Sequence, residues 1–489
     1  MKRLFKLTAL GFLLAVFCIV AAPAWADVDQ RIQALEDELA RLKAEQTAVK
    51  TEQIEMRKEA AAATAALPTF SYRPANGVTI EAADKSWSLN FGMEVHFRMD
   101  FNHGRDEAGR TNGEIMGRRF RTQWTYCLNN CFWEIQTRLD LDGFATSSGL
   151  QRGVGWIHLE QVSPWLPTVY LGMDAPSEIS TYRQTSSLTA AQADYDLLSR
   201  NNGFNTGRMG NGVGFNWDDK DLSGVGIPGR LRRINIARGN IGEGDDGRSS
   251  FTDRRNYVGY MNVEPFSKLD SKWLKGWGFE VGGWSCYVDP LAADSACNRL
   301  RIRDHGDGGR QNLFDTGPAT PIGRGITYFL MPGAQWQIGP VNLRGVAGFQ
   351  RYPSDRFHGA QTIGKGQKSA NMWLAAADIY LWSPKGFMTG NSNTVGSLLF
   401  GTHFERTDVI CKGCTDVSGE FSKQRILLRE WDLWYFFAPR ASFGVNVLWY
   451  DAARLTTDVQ KNLGCSGAGT VPGRGCDWID VMLNLRWSF

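Results

Sequence analysis

In the stretch SLNFGMEVHFRMDF, residues Leu89, Phe91, Met93, Val95, Phe97, Met99 and Phe101 alternate with Asn90, Glu94, His96, Arg98 and Asp100. A period of two puts the first set on one face of a β-strand and the second set on the other. The alternation runs unbroken from residue 89 to residue 101, whereas an ordinary strand has about 5–6 residues. A tilted strand that crosses a bilayer needs roughly 9–11. The last run, IDVMLNLRWSF, repeats the pattern: Ile479, Val481, Leu483, Leu485, Trp487 and Phe489 alternate with Asp480, Met482, Asn484, Arg486 and Ser488.

Comparable runs fall at 86–102, 114–126, 132–144, 153–164, 167–176, 211–219, 230–240, 256–266, 277–289, 326–339, 341–353, 369–384, 396–409, 422–437, 441–453 and 477–489. That makes sixteen strands. Short connections such as CLNNC, SPWLP, GP and APRA follow even-numbered runs, and long glycine-rich, charged ones follow odd-numbered runs. A soluble β-sandwich, β-helix or propeller would show short turn-delimited strands or a fixed repeat, and neither is present. The expectation is an all-β transmembrane barrel of 16 antiparallel strands over 86–489. Its last strand closes on its first, because an open edge in hydrocarbon leaves backbone groups unsatisfied at several kcal/mol each. An even strand count puts both barrel ends on the periplasmic side of a bacterial outer membrane.

The start of the chain fits an exported protein. MKRLFK is a basic head, LTALGFLLAVFCIVAA an apolar core, and AWA a small-x-small cleavage site, so residues 1–26 read as a signal peptide. Removing Lys2, Arg3 and Lys6 takes the 54 basic residues to 51, equal to the 51 acidic ones. Bulk charge therefore offers nothing to nucleic acid. No later segment holds 18 consecutive apolar residues, which rules out a transmembrane helix. Beyond the leader, cysteines come as near neighbours, Cys127/Cys131, Cys286/Cys297, Cys411/Cys414 and Cys465/Cys476. In an exported chain these are candidate local disulfides. The CKGC stretch lacks the context of a redox site, the histidines form no helix-face pair suited to zinc, and no cofactor is expected.

Residues 27–66 follow a different rule. Val28, Leu35, Leu42, Val49 and Met56 recur at seven, with Ile32 and Leu39 at the d positions and Gln46 and Gln53 continuing that seam. This predicts an α-helical coiled coil in the periplasm, self-associating as a trimer, with a solvated single helix as the alternative. Residues 67–85, with prolines and a glycine, read as a linker.

The heptad-bearing start, then VTIEAADKSWSLNFGMEVHFRMDF and EIMGRRFR, resembles the phosphate-selective porin O/P family of bacterial outer-membrane channels. So do YLWSPKGFMTGNSNTVGSLLFGTHFERTDV and WDLWYFFAPRASFGVNVLWYDAARL near the end. The resemblance covers roughly 78–176 and 369–489. It implies a 16-stranded homotrimeric channel for small hydrophilic solutes or anions, seated in outer-membrane lipid. The coiled coil either fixes trimer register or reaches the cell wall.

Taking each polar face as inward gives pore-lining candidates Arg98, Arg119, Arg121, Arg138, Asp140, Asp142, Arg233, Arg344 and Arg486, with Glu94, Asp100, Glu134, Asp432 and Asp480 as further acids. A lining balanced in sign makes a weak field and hence weak selectivity. The long connection 177–210 offers constriction-loop candidates Arg183, Asp194, Asp196 and Arg200; in members of the resembled family the corresponding loop narrows the pore. Arg232 shares a face with Ile234 and Ile236 and reads as a residue that snorkels at the membrane boundary. No nucleophile and base stand in a recognisable context, so no enzymatic activity is expected. The rival function is a barrel that sheathes a partner protein such as an electron-transfer cytochrome.

Overall fold

The computed structural model of the chain describes residues 30–59, 67–73, 77–105, 111–140, 149–173, 211–239, 256–288, 301–303, 312–315, 325–352, 367–384, 395–412, 423–453 and 476–488. The chain divides into two units, Met1–Pro68 and Thr69–Phe489. In the first, residues 30–59 form one continuous helix, α1. Its heptad residues Ile32, Leu35, Leu39, Leu42, Val49 and Met56 are all exposed, Leu35 at 65%. Thr47 and Thr51 turn their hydroxyls back onto carbonyls one turn earlier, at 2.7 and 2.9 Å. An apolar stripe this open does not hold a helix by burial within its own unit.

The second unit opens with a hairpin, β1 (Thr69–Arg73) and β2 (Gly77–Glu81). Sixteen strands then make the barrel. The first nine are β3 (Trp87–Arg105), β4 (Thr111–Leu128), β5 (Trp133–Asp140), β6 (Gly149–His158), β7 (Thr168–Met173), β8 (Asn211–Asp221), β9 (Arg230–Gly239), β10 (Asn256–Glu264) and β11 (Trp277–Val288). A small hairpin, β12 (Arg301–Arg303) with β13 (Asn312–Asp315), interrupts the series. The last seven are β14 (Gly325–Ile338), β15 (Val341–Arg351), β16 (Gln367–Trp382), β17 (Ser397–Lys412), β18 (Lys423–Ala438), β19 (Ala441–Ala452) and β20 (Cys476–Ser488). Each barrel strand pairs antiparallel with the next, and β20 returns to β3 from Asp480↔Asn102 to Ser488↔Glu94. All sixteen expected runs are present, including the three between 211 and 266.

Residues 67–85, read from the sequence as a linker, include these two paired strands. β2 pairs with the start of β3, Val78↔Phe91 through Glu81↔Ser88. The physical reason is length: β3 runs past the end of β20, whose last paired residue, Ser488, stands opposite Glu94. The edge of β3 below that point needs hydrogen-bond partners, and β2 supplies them. Gly77 makes the approach possible, with φ of 78° and the Phe91 carbonyl oxygen 1.9 Å from where a Cβ would sit.

Along the wall, burial is inverted relative to a soluble protein. In β20 the pattern alternates strictly, with Asp480, Asn484, Arg486 and Ser488 buried and Ile479, Leu485 and Trp487 exposed. The outward face elsewhere carries Phe97, Trp124, Ile135, Leu171, Phe215, Met261, Leu330, Trp373, Phe404 and Leu433, all exposed. An apolar belt of that extent is matched by hydrocarbon and not by water. At the short-turn end a girdle of indoles marks the belt's limit. Trp336 stacks on Trp277 at 5.3 Å and donates its N–H to the Trp273 carbonyl at 2.9 Å; Trp217 donates to the Trp165 carbonyl at 3.1 Å. An indole has an apolar body and one polar tip, which suits this boundary.

Of the candidate disulfides, Cys127–Cys131 is formed and closes the turn between β4 and β5. It spans Asn129 and Asn130, which with Cys131 have φ between 52° and 60°, a left-handed run that asparagine tolerates better than most residues. Cys476 is also disulfide-bonded. Cys286 and Cys411 have described backbones only, and Cys297, Cys414 and Cys465 lie outside the described residues.

Replacing Gly77 with alanine is expected to release β2 from β3 and leave the barrel closed. Amide exchange checks it: protection should fall at 78–81 and hold at 94–102. Retained protection at 78–81 would refute the close approach.

Candidate functional site: the inner wall

On β17 the inward set is Leu399, Gly401, His403, Glu405, Thr407 and Val409. His403 lies between two carboxylates, with Nδ1 3.2 Å from Glu430 of β18 and Nε2 3.6 Å from Glu405 two residues on. All three are buried. The Thr407 hydroxyl donates to Glu405 at 3.0 Å.

Beside this triad a chain of short polar side chains crosses the closure seam. Asn446 donates to Asp432, Asn484 donates to Asn446 at 2.7 Å, and Asn484 Oδ1 lies 2.7 Å from His96 Nε2. Those residues belong to β18, β19, β20 and β3. Neighbouring strands lie roughly 4.8 Å apart, so side chains as short as Asn and Asp can reach from each strand to the next. The last strand is thereby tied to the first by side chains as well as backbone.

The sequence candidates divide according to how much of each is described. Arg98 is buried and bonded to Asp100. Arg344 is buried and paired with Asp378 of β16. Arg486 is buried with its guanidinium 3.7 Å above the Trp434 ring, an arrangement favourable to a cation. That indole lies flat on the wall because Gly444 stands opposite it; a Cβ there would be 2.3 Å from the ring. Arg138 donates to Gln123 at 2.9 Å, Arg233 is paired with Asp218, and Arg121 is half-buried opposite Glu94. Arg119 and Asp140 have described backbones, paired with His96 and Arg121, but not described side chains. Asp142, Arg183, Asp194, Asp196 and Arg200 lie outside the described residues. Arg232 is held by Asp219 at 3.2 Å and Glu264 at 3.3 Å, so carboxylates anchor its head at the short-turn rim.

The expected lining omitted several inward acids: Asp218, Glu280, Asp378, Glu405 and Glu430. The alternation of SLLFGTHFERTDV carries the signal for Glu405, since it shares a face with His403 and Thr407. The omission matters for charge. The described wall is richer in carboxylates than the balanced list, although Arg98, Arg344 and Arg233 are each paired with one of them. The small hairpin β12–β13 was also not expected. Ile302 is fully buried and belongs to the same buried apolar cluster as the inward residues Trp284, Phe329 and Met331, so the connection between β11 and β14 sends a side chain into the interior.

A second region lies near the short-turn end of β5–β9. His158 sits with Nε2 3.0 Å from Glu134 and Nδ1 2.7 Å from Glu160, and the Thr168 hydroxyl donates to Glu160 at 2.8 Å. With Trp156, Asn216, Lys220 and Arg233 these residues line a cavity of about 320 Å³.

No protein-family model and no curated protein matches the chain. Among solved structures it is similar to OmpT, an outer-membrane protein of Vibrio cholerae in trimer form, at 8% identity and a TM-score of 0.48, covering 83% of this chain and 100% of that one. It is similar to an anion-selective porin from Comamonas acidovorans at 11% identity and 0.48, covering 82% and 100%. The outer-membrane channel DcaP of Acinetobacter baumannii gives 10% identity and 0.44, covering 83% and 98%. The strand pairing alone defines a closed 16-stranded transmembrane barrel with a polar, charged interior.

Removing Arg344 alone (Arg344→Met) leaves the Asp378 carboxylate buried without its cation, a loss of about 3–5 kcal/mol for a broken buried pair. Replacing both (Arg344→Met with Asp378→Leu) is expected to restore most of the stability. Melting temperatures of the folded band in detergent decide it: a double variant no more stable than the single one contradicts the assignment.

Proposed function

We propose that the chain is a passive outer-membrane channel for small hydrophilic solutes, with weak selectivity. The observation that carries this reading is the inverted burial of a closed sheet: ionised side chains inside, exposed aromatics and aliphatics outside. The leader at 1–26 supports export. The short-turn end then faces the periplasm and the long connections face outward. Arg98, Arg121, Arg138, Arg233, Arg344 and Arg486 line the path with the inward acids. A phosphate-selective lining of the kind the O/P resemblance implies would need surplus positive charge, and the paired, acid-rich wall supplies none among the described residues.

The exposed heptad stripe of α1 supports a homotrimer joined through a periplasmic coiled coil. A helix that displays Leu35, Leu39 and Leu42 to water is stabilised by burying them against copies of itself. The same rod is long enough, at about 1.5 Å per residue, to contact the cell wall.

Single-channel recording tests the reading. The purified protein in a planar bilayer should conduct, with cation-to-anion permeability within about threefold of unity. Absence of current defeats the channel reading, and a strong anion preference defeats the charge argument.

A further inference from the structure

The cavity lined by β5–β9 contains two buried polar atoms with no hydrogen-bond partner, Trp156 Nε1 and Asn216 Oδ1. Asn216 is only 6% exposed. One of these atoms is a donor and the other an acceptor. Leaving either unmet is costly, so a group that satisfies them is favoured.

The chemistry of the lining says which group. Glu134, Glu160 and Asp218 put three carboxylates around the cavity, against Lys220 and Arg233, and Arg233 is committed to Asp218. His158 is clamped between two of those carboxylates. Each carboxylate oxygen that already accepts one hydrogen bond keeps a further lone pair. The lining thus presents carboxylate and amide acceptors, donors on Trp156, Lys220 and Arg233, and an aromatic flank. With Lys220 and Arg233 set against the three carboxylates, the lining carries little surplus charge to favour an ion of either sign. A hydroxyl both accepts and donates, so it can take the indole proton and give its own to an amide or carboxylate oxygen.

Size agrees. The 320 Å³ would hold about ten waters at roughly 30 Å³ each, or one small solute. Trp156 on β6 and Asn216 on β8 are separated by β7 alone, which puts their strands about 10 Å apart.

We propose that this cavity is a subsite for neutral polyhydroxylated solutes of the sugar class. The inference rests on the channel reading in taking the cavity as open to solute in the lumen, and it names a solute class that reading leaves open. Trp156 supplies the N–H and an apolar ring face, Asn216 an acceptor, and Glu134 and Glu160 accept further hydroxyls.

Equilibrium dialysis of labelled glucose and of labelled maltose against the full-length protein, in a sugar-free polyoxyethylene detergent, tests this without requiring conduction. Saturable binding of one sugar per chain is expected. Trp156→Phe, which keeps the ring and removes the N–H, and Asn216→Leu should each weaken it about fivefold or more. Glu160→Gln, in the short 3-10 helix Leu159–Gln161 rather than a strand, should show the same loss and serves where a strand variant fails to fold. Inorganic phosphate at equal concentration should displace none of the sugar. Absence of saturable binding, binding unchanged in these variants, or displacement by phosphate or free arginine would each overturn the subsite. A conducting chain that binds no sugar removes the subsite alone; a chain that binds sugar and passes no current removes the channel reading alone.

Discussion

Everything in the barrel follows from the need of backbone N–H and C=O groups for partners in a medium that offers none. In hydrocarbon each unmet group costs several kcal/mol, so a sheet that enters it must close. The register from Asp480↔Asn102 to Ser488↔Glu94 is that closure. The same need explains the hairpin over 69–81, which covers the part of β3 that β20 does not reach. A feature that looks like a spacer in sequence is the completion of the ladder.

Closure then dictates the two faces. Once the sheet is sealed, its outside answers to lipid and its inside to water and to itself. The inside of this barrel does both. The seam holds a cross-strand network, His96–Asn484–Asn446–Asp432 with Glu430–His403–Glu405 beside it, in which buried charges find partners within the wall. The β5–β9 wall is different, because it opens a cavity lined by Trp156 and Asn216, each with a buried polar atom unmet.

The strands were legible in the sequence because lipid on one face and water on the other force a period of two over many residues. Even the short runs at 211–219 and 256–266 kept enough of it. The inward position of Arg98, Arg344 and Arg486 followed from the same alternation. What the residues could not disclose was partnership. Nothing in the sequence near Arg344 points to Asp378, 34 positions away, because that contact arises from register between β15 and β16. The small hairpin around Ile302 escaped for a related reason: three residues are too few to establish any period. The hairpin at 69–81 was hidden by Pro68 before it and by Pro74 and Gly77 within it, which signal a break in chain direction equally well for a loop and for a turn between strands.

The indole girdle has a consequence for how the barrel sits. Trp336 and Trp217 are tied by their N–H groups to turn carbonyls at one rim, so that rim is pinned to the waterline. A thicker or thinner bilayer cannot slide along the protein equally at both ends. The mismatch is taken up at the long-loop rim, and the mouth on that side rises or sinks with the lipid while the pinned rim keeps its level.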